Sequence, residues 1–298
     1  MRVLVTGAAG FVGSHVTEYL SSHGMEVITS DVVPGYDLKG DLTDSNWVFN
    51  TLGSIKFDAV VHLAAIADLK KTQDDPYSCF RVNDFATLNL LELSHRKGVH
   101  RFVYASSANV YGAPSTLPVS EDHPFYPRVP YDYSKVIGES LALSYWKTKK
   151  LPVAITRSWL LFGERDLPNR AVPRFIRACL RDEKISLFNA GRDTTAPSHA
   201  LNYAKLVMEL ISNDACVGEA FNFGGERVVS IKQLAQLIRE LTGSRSELID
   251  LPPRSEAESD PQISYPSLAK LKSKLGYVHE LSLEEGIMRV VEWIRKDG

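Results

Sequence analysis

Two side chains four residues apart carry the first chemical signal. In Pro130-Tyr131-Asp132-Tyr133-Ser134-Lys135 a tyrosine and a lysine stand at i and i+4, so on a helix they share one face. An ammonium beside a phenol stabilises phenolate and lowers its pKa, turning a poor base into a useful one. Pro130 suits the first turn of a helix, which the pattern carries to about Lys147. Tyr133 has no such partner, because Ile137 stands four residues on. The second signal is the glycine spacing in Thr6-Gly7-Ala8-Ala9-Gly10-Phe11-Val12-Gly13. Glycines let the backbone turn tightly and approach a pyrophosphate, which sits on the free amides and positive dipole end of the next helix. Gly7, Gly10, Phe11, Val12 and Gly13 are therefore the candidate dinucleotide turn. A base and a redox dinucleotide in one site make hydride removal from a carbinol carbon possible.

The elements that must hold these groups follow in chain order. Val3-Leu4-Val5 is a short apolar run, read as a buried parallel strand. Val12, Val16, Tyr19 and Leu20 mark an amphipathic helix that Gly24 stops. Glu26-Val-Ile-Thr-Ser-Asp31 is a second strand ending in an acid. In a dinucleotide-binding unit that acid accepts hydrogen bonds from the adenosine ribose and repels a 2′-phosphate, so Asp31 favours NAD over NADP. The strand from Phe57 ends in Leu63-Ala64-Ala65, whose small residues let the cofactor pass close over the tip. His62, at that buried strand end, is read as structural. A helical stretch covers 77–98, a strand and polar turn cover 100–112, and Pro152-Val-Ala-Ile-Thr156-Arg157 is another strand. Near Glu164 the chain is expected to leave the main domain, with a helix starting at Val172-Pro173. It returns as a helix over 198–212 and a strand over 220–224. Ser230-Ile-Lys-Gln233 and Ser282-Leu-Glu-Glu285 are capping boxes for two further helices. The pattern is α/β: a doubly wound parallel sheet of Rossmann type with a smaller C-terminal lobe. Residues 1–164 and 196–224 are assigned to the NAD-binding domain, and 165–195 and 225–298 to the substrate lobe.

Three motifs together carry a resemblance. They are Gly-x-x-Gly-x-x-Gly, Ser106-Ser107-Ala108-Asn109-Val110-Tyr111-Gly112 and Tyr131-x-x-x-Lys135. The chain resembles the extended short-chain dehydrogenase/reductase superfamily, within it the NAD-dependent epimerase/dehydratase family, and is similar to UDP-glucose 4-epimerases. The resemblance implies NAD as cofactor and a nucleotide sugar as substrate. It implies Ser107, Tyr131 and Lys135 as the catalytic set. Tyr131 takes a hydroxyl proton, Ser107 orients that oxygen, and Lys135 tunes the tyrosine and holds the nicotinamide ribose. It places Asp41-Leu42 against the adenine, Asn83 beneath the cofactor as a brace, Trp159 near the nicotinamide, and Arg254 on a nucleotide phosphate. The implied reaction is epimerisation: transient oxidation to a keto intermediate, then hydride return to the opposite face. A dehydrogenase or ketoreductase is the alternative. A non-catalytic NAD-binding sensor is a third reading, opposed by the complete catalytic set. Sugar dehydratases and decarboxylases of the family carry an acid just after the catalytic hydroxyl, where this chain has Ala108 and Asn109. Elimination therefore lacks its acid. Two usual diphosphate contacts are also absent, with Leu160 after Trp159 and Thr194-Thr195-Ala196-Pro197 further on.

The bulk properties bound the remaining classes. Among 298 residues, 34 basic and 36 acidic side chains leave a net charge of -2, which is no footprint for nucleic acid. Cys79, Cys179 and Cys216 are far apart, with no metal-ligand spacing, and read as buried apolar residues of a reducing compartment. No apolar run approaches the roughly 20 residues that span a bilayer. The N-terminal apolar run is already used as strand and turn, so a cytoplasmic protein is expected. A homodimer is expected as well. The helices around 85–93 and 136–146 carry apolar residues that one sheet face does not fully cover, and relatives pair through the equivalent helices.

Overall fold

The structure is a computed structural model that describes residues 1–253 and 261–297. Seven strands form the main sheet: β1 (Arg2–Thr6), β2 (Glu26–Asp31), β3 (Leu38–Lys39), β4 (Ala59–His62), β5 (Arg101–Ser107), β6 (Val153–Ser158) and β7 (Glu219–Phe223). Their order is β7-β6-β5-β4-β1-β2-β3, and every pairing is parallel. The main helices are α1 (Phe11–Ser22), α2 (Ala86–Lys97), α3 (Pro130–Lys149), α4 (Ala171–Leu180), α5 (Ala200–Ser212), α6 (Ile231–Thr242) and α7 (Leu283–Asp297). The chain reverses its winding at β1, between β2 and β4. A crevice therefore opens beyond the carboxyl ends of these strands.

Strand side chains alternate between faces, and each face has its own helices. Val3 and Val5 pack with Val16 and Leu20 of α1 and with Leu206 and Leu210 of α5. Leu4, Val60 and Phe102 turn to the other side, against Leu90, Leu91 and Leu93 of α2 and Ala142 of α3. A separate core joins Phe175 and Ile176 of α4, Leu234 and Ile238 of α6, and Ile287, Val290 and Val291 of α7. Both expected capping boxes form, Ser230 with Gln233 and Ser282 with Glu285.

The division of the C-terminal stretch differs from the expected boundaries. The expectation put all of 225–298 in the smaller lobe. The helix Ala269–Leu275 instead lies on the main sheet, where Leu271 and Tyr277 join the core of Phe221 and Phe223. An amphipathic pattern shows that a helix buries a face, not which core receives it.

One buried carboxylate ties the two parts together. Glu164 Oε2 lies 3.0 Å from His15 Nε2 of α1 and 2.9 Å from His199 Nε2, while Arg289 Nε of α7 donates to Oε1 at 3.0 Å. These three ligand-type groups cluster tightly enough to raise the question of a metal. The donor set opposes it. His199 Nδ1 accepts the Leu201 amide, which leaves the ring proton on Nε2, 2.9 Å from the carboxylate. The node is a hydrogen-bonded latch. No helix among the described residues is long and apolar enough to cross a membrane.

Candidate active site

The glycine turn lies where β1 meets α1, and its geometry demands glycine. Gly7 has φ +72°, and a Cβ there would stand 2.7 Å from the Ala64 amide nitrogen. A Cβ on Gly13 would stand 2.1 Å from the Gly7 carbonyl oxygen. The first amide of the helix to bond back is Ser14, to Gly10 O at 2.9 Å, so those of Phe11, Val12 and Gly13 have no helical partner. The helix has no side-chain cap and no acid in its first turn. An uncapped helix start cradled by glycines suits a pyrophosphate, so the residues fit a dinucleotide. Asp31 ends β2 beside the turn, and its carboxylate accepts the amides of Ala9 at 3.0 Å and Val32 at 2.7 Å.

The other expected cofactor residues follow the strand ends or lie in the helix before α2, with differing freedom. Leu63, Ala64 and Ala65 follow β4 and are half-buried, with Ala64 against Gly7. Asp41 is exposed and caps its own loop at Thr43, whereas Leu42 is buried in the sheet core. Asn83 is a clamp: it accepts the Ile66 amide at 2.8 Å, donates to Ile66 O at 3.1 Å, and donates to Ser134 Oγ at 2.9 Å. It thus joins the loop after β4 to α3. Trp159 is committed to packing. It is 8% exposed, stacks on Tyr111 at 5.8 Å, and donates to Ser264 Oγ at 2.9 Å. Arg254 lies outside the described residues. His62 is structural as read: Thr6 and Thr87 hydroxyls meet both ring nitrogens at 2.8 Å, and burial drives it down to about 3.

Ser107, Tyr131 and Lys135 come together at the end of β5 and the start of α3. Ser107 ends its strand in extended backbone and its Oγ accepts the Asn109 amide at 3.2 Å. Lys135 Nζ lies 5.7 Å from the Tyr131 ring centre and donates to Ala105 O at 2.9 Å. Tyr133 points out, 49% exposed. Burial opposes the expected lowering of the Tyr131 pKa. Burial pushes the phenol up to about 12, with the Ser107 hydroxyl pulling the other way. Burial also pushes Lys135 down to about 8, opposed first by Asp84. Spacing alone shows that the two groups meet; it does not reveal how dry their surroundings are.

Beneath these three runs a buried polar network that the sequence did not announce. Arg157 of β6 holds Glu139 of α3 through Nε and Nη2, the shortest bond being 2.7 Å. Its Nη1 donates to Tyr111 Oη at 2.7 Å and to Glu121 O at 2.9 Å. Tyr111 donates on to Asn222 Oδ1 at 2.7 Å, and Ser106 Oγ donates to Glu139 at 2.5 Å. Glu139 and Arg157 are 1% and 5% exposed. The only hint in sequence was a glutamate one turn beyond Lys135 on the same face.

Comparison with known proteins bears on this geometry. The family model described as NAD dependent epimerase/dehydratase family matches residues 3–224. The UDP-glucuronic acid decarboxylase 1 of Xenopus tropicalis is 32% identical, over 99% of this chain and 72% of its own length. The dTDP-D-glucose 4,6-dehydratase of Mus musculus is 29% identical, over 99% of this chain and 89% of its own. Among solved structures, the UDP-glucose 4-epimerase of Thermotoga maritima with UDP-glucose superposes with a TM-score of 0.90 at 28% identity, covering 99% of each chain.

Proposed function

The chain belongs to the NAD-dependent epimerase/dehydratase family, and from that premise we propose that it is an epimerase of a nucleotide sugar. Its cofactor is NAD, which supplies, when bound, a hydride acceptor and donor. The glycine turn and the amides of Phe11, Val12 and Gly13 hold the diphosphate, and Asp31 takes the adenosine ribose. Asn83 fixes the loop under the cofactor by clamping Ile66. Tyr131, as phenolate, accepts the proton of a sugar hydroxyl. Ser107 orients that oxygen as it becomes a carbonyl. The same tyrosine gives the proton back after the keto sugar has turned over. Lys135 supplies positive charge beside the phenol.

The observation that carries epimerisation over its rivals is the turn Ala108–Tyr111. It follows Ser107 directly and holds no carboxylate. Ala108 packs on the apolar cluster of Val110, Tyr111 and Trp159, and the Asn109 amide bonds Ser107 Oγ. An elimination or decarboxylation that needs a second proton-transfer group has none at this place. One observation favours a dehydrogenase instead. Leu160 packs into the lobe core and Thr195 pairs with Val229, so neither offers a diphosphate anchor to retain the intermediate.

Incubation with UDP-glucose, UDP-glucuronic acid and dTDP-glucose, followed by NMR of the products, tests the proposal. An epimerase inverts one sugar stereocentre over many turnovers without NADH exceeding one equivalent per site. Stoichiometric NADH release makes the protein a dehydrogenase. Loss of carbon dioxide or water from the sugar overturns the reading based on Ala108 and Asn109.

A further inference from the structure

We infer that Asp84 is the buried counter-ion of Lys135, a positioning residue that keeps the lysine ammonium charged beneath Tyr131. The inference rests on the reading of Tyr131 and Lys135 given above and extends it to a residue with no role there.

Asp84 is 9% exposed, and neither of its buried carboxylate oxygens has a hydrogen-bond partner. A carboxylate so placed is costly unless a charge answers it. Its position is rigid. It sits in the helical turn Arg81–Phe85, directly after the Asn83 clamp, and this turn packs against α3. Tyr104 of β5 also keeps a buried hydroxyl without a partner. That hydroxyl lies against α3 at Gly138, where a Cβ would come within 1.9 Å of it. Lys135 Nζ stands over the same ring, 5.2 Å from its centre. The turn that carries Asp84 and the ring beneath the Lys135 ammonium thus both pack on α3.

The charges facing this spot single out Asp84. Lys135 is the charge that acts on Asp84, and Asp84 is the foremost charge acting on both Lys135 and Tyr104. Glu139, one turn along α3, also acts on Lys135 but is engaged by Arg157. Asp132 is turned to the amides of Arg128 and Val129. His62 on β4 is kept neutral by burial, and burial raises the Cys79 thiol on the short helix Pro76–Phe80. Tyr131 itself is raised by burial to about 12. Among the described residues, Asp84 is the carboxylate acting on Lys135 that has no cation or amide of its own. Burial pushes Asp84 up to about 7 and Lys135 down to about 8, so the two are oppositely charged mainly in the window between those values. Without Asp84, burial strips the lysine proton earlier, and the phenol loses the positive charge it relies on.

The test reads Lys135 directly in the NAD-bound protein. Lysine side chains are isotope-labelled, their nitrogen signals are followed by NMR against pH, and Lys135 is assigned by its loss in Lys135→Met. Asp84→Asn is expected to lower the Lys135 midpoint by about one pH unit, a tenfold change in its protonation equilibrium. Asp84→Glu, which keeps the carboxylate, restores part of the shift. Asp84→Ser carries the same expectation as Asn should the Asn variant not fold. An unchanged or raised midpoint overturns the inference. The pH profile of nucleotide-sugar turnover gives the second readout, whose alkaline limb is expected to move down with the Lys135 midpoint in Asp84→Asn. If the NMR midpoint moves and that limb does not, the charge coupling of Asp84 to Lys135 stands and the role of Lys135 in tuning Tyr131 falls.

Discussion

Replacing Arg157 by Met tests whether the buried network under the site is a structural necessity. Arg157 gives Glu139 its Nε and Nη2 hydrogens at distances from 2.7 to 3.1 Å, and gives Tyr111 and Glu121 its Nη1 at 2.7 and 2.9 Å. With the arginine gone, Ser106 remains as the donor to Glu139, a residue only 1% exposed. Losing one partner of such a pair leaves an uncompensated charge, which costs about 3–5 kcal/mol. The Tyr111 hydroxyl keeps its own bond to Asn222 but loses the one it accepts from Arg157, which adds about 1 kcal/mol. Replacing both members by apolar residues removes the charge problem, and such double replacements are often neutral or stabilising. Arg157→Met/Glu139→Leu should therefore recover most of the loss, apart from the Tyr111 share. The assay is urea unfolding of the two single variants, the double variant and the parent. Tryptophan fluorescence suits it because Trp159 stacks on Tyr111. A loss under about 1 kcal/mol in Arg157→Met, within the range of an exposed pair, would refute the reasoning. So would a double variant as unstable as the single one.

Four further outcomes follow from named contacts. Gly13→Ala drives a Cβ to within 2.1 Å of the Gly7 carbonyl oxygen, so NAD affinity in a fluorescence titration should fall by more than about tenfold; unchanged affinity breaks the cradle reading. Asp31→Ala removes the charge that repels a 2′-phosphate, so the ratio of NAD to NADP affinity should fall, and equal preference in the parent protein would already count against this role. Tyr77, Phe85, Tyr133 and Ile137 are 78%, 46%, 49% and 40% exposed along the face of α3 and the helical stretch before it. We expect a homodimer through that face, which Ile137→Glu converts to monomer in light scattering, and a monomeric parent at micromolar concentration removes the idea. Burial alone would raise Glu164, but the hydrogen bonds from His15 and His199 outweigh it and hold the carboxyl well below its usual 4.5. A depressed acid stabilises the fold above its unfolded pKa and loses that contribution as pH falls below it. Stability measured from pH 7 to well below 4.5 should therefore fall more steeply below about 4.5 in the parent than in Glu164→Gln, and parallel curves there would contradict the latch.

What the sequence revealed was what local backbone geometry fixes. The glycine turn, the alternating strands of the sheet and the pairing of Tyr131 with Lys135 each depend on residues within one or two turns of each other. What it concealed depends on burial and long-range contact. Tyr111 meets Asn222 across 111 positions, and no spacing rule links them. Asp84 stands in a helical stretch where an acid ordinarily faces water, and its burial appears only once that turn is packed on α3. Trp159 was placed by resemblance alone, and its ring is taken by Tyr111 and Ser264. The rise of the Tyr131 phenol is hidden from the sequence for the same reason, since charge proximity is visible in spacing and desolvation is not.

The same strand and helix serve both the chemistry and its foundation. Successive residues of a strand face opposite ways. At the end of β5, Ser107 faces Tyr131, while Ser106 turns down and donates to Glu139 at 2.5 Å. On α3, Tyr131 and Glu139 are about two turns apart, roughly 12 Å along the axis. Gly138 lies beside Glu139 and admits the Tyr104 hydroxyl, which any Cβ there would strike. The register of α3 on β5 is thus set by a glycine contact and a buried network, both on the strand face opposite Ser107. That register decides where the Tyr131 oxygen lies relative to Ser107. A substitution that frees Glu139 should then misplace the base even though no substituted atom touches the substrate, and turnover in Arg157→Met/Glu139→Leu should stay impaired after its stability has returned.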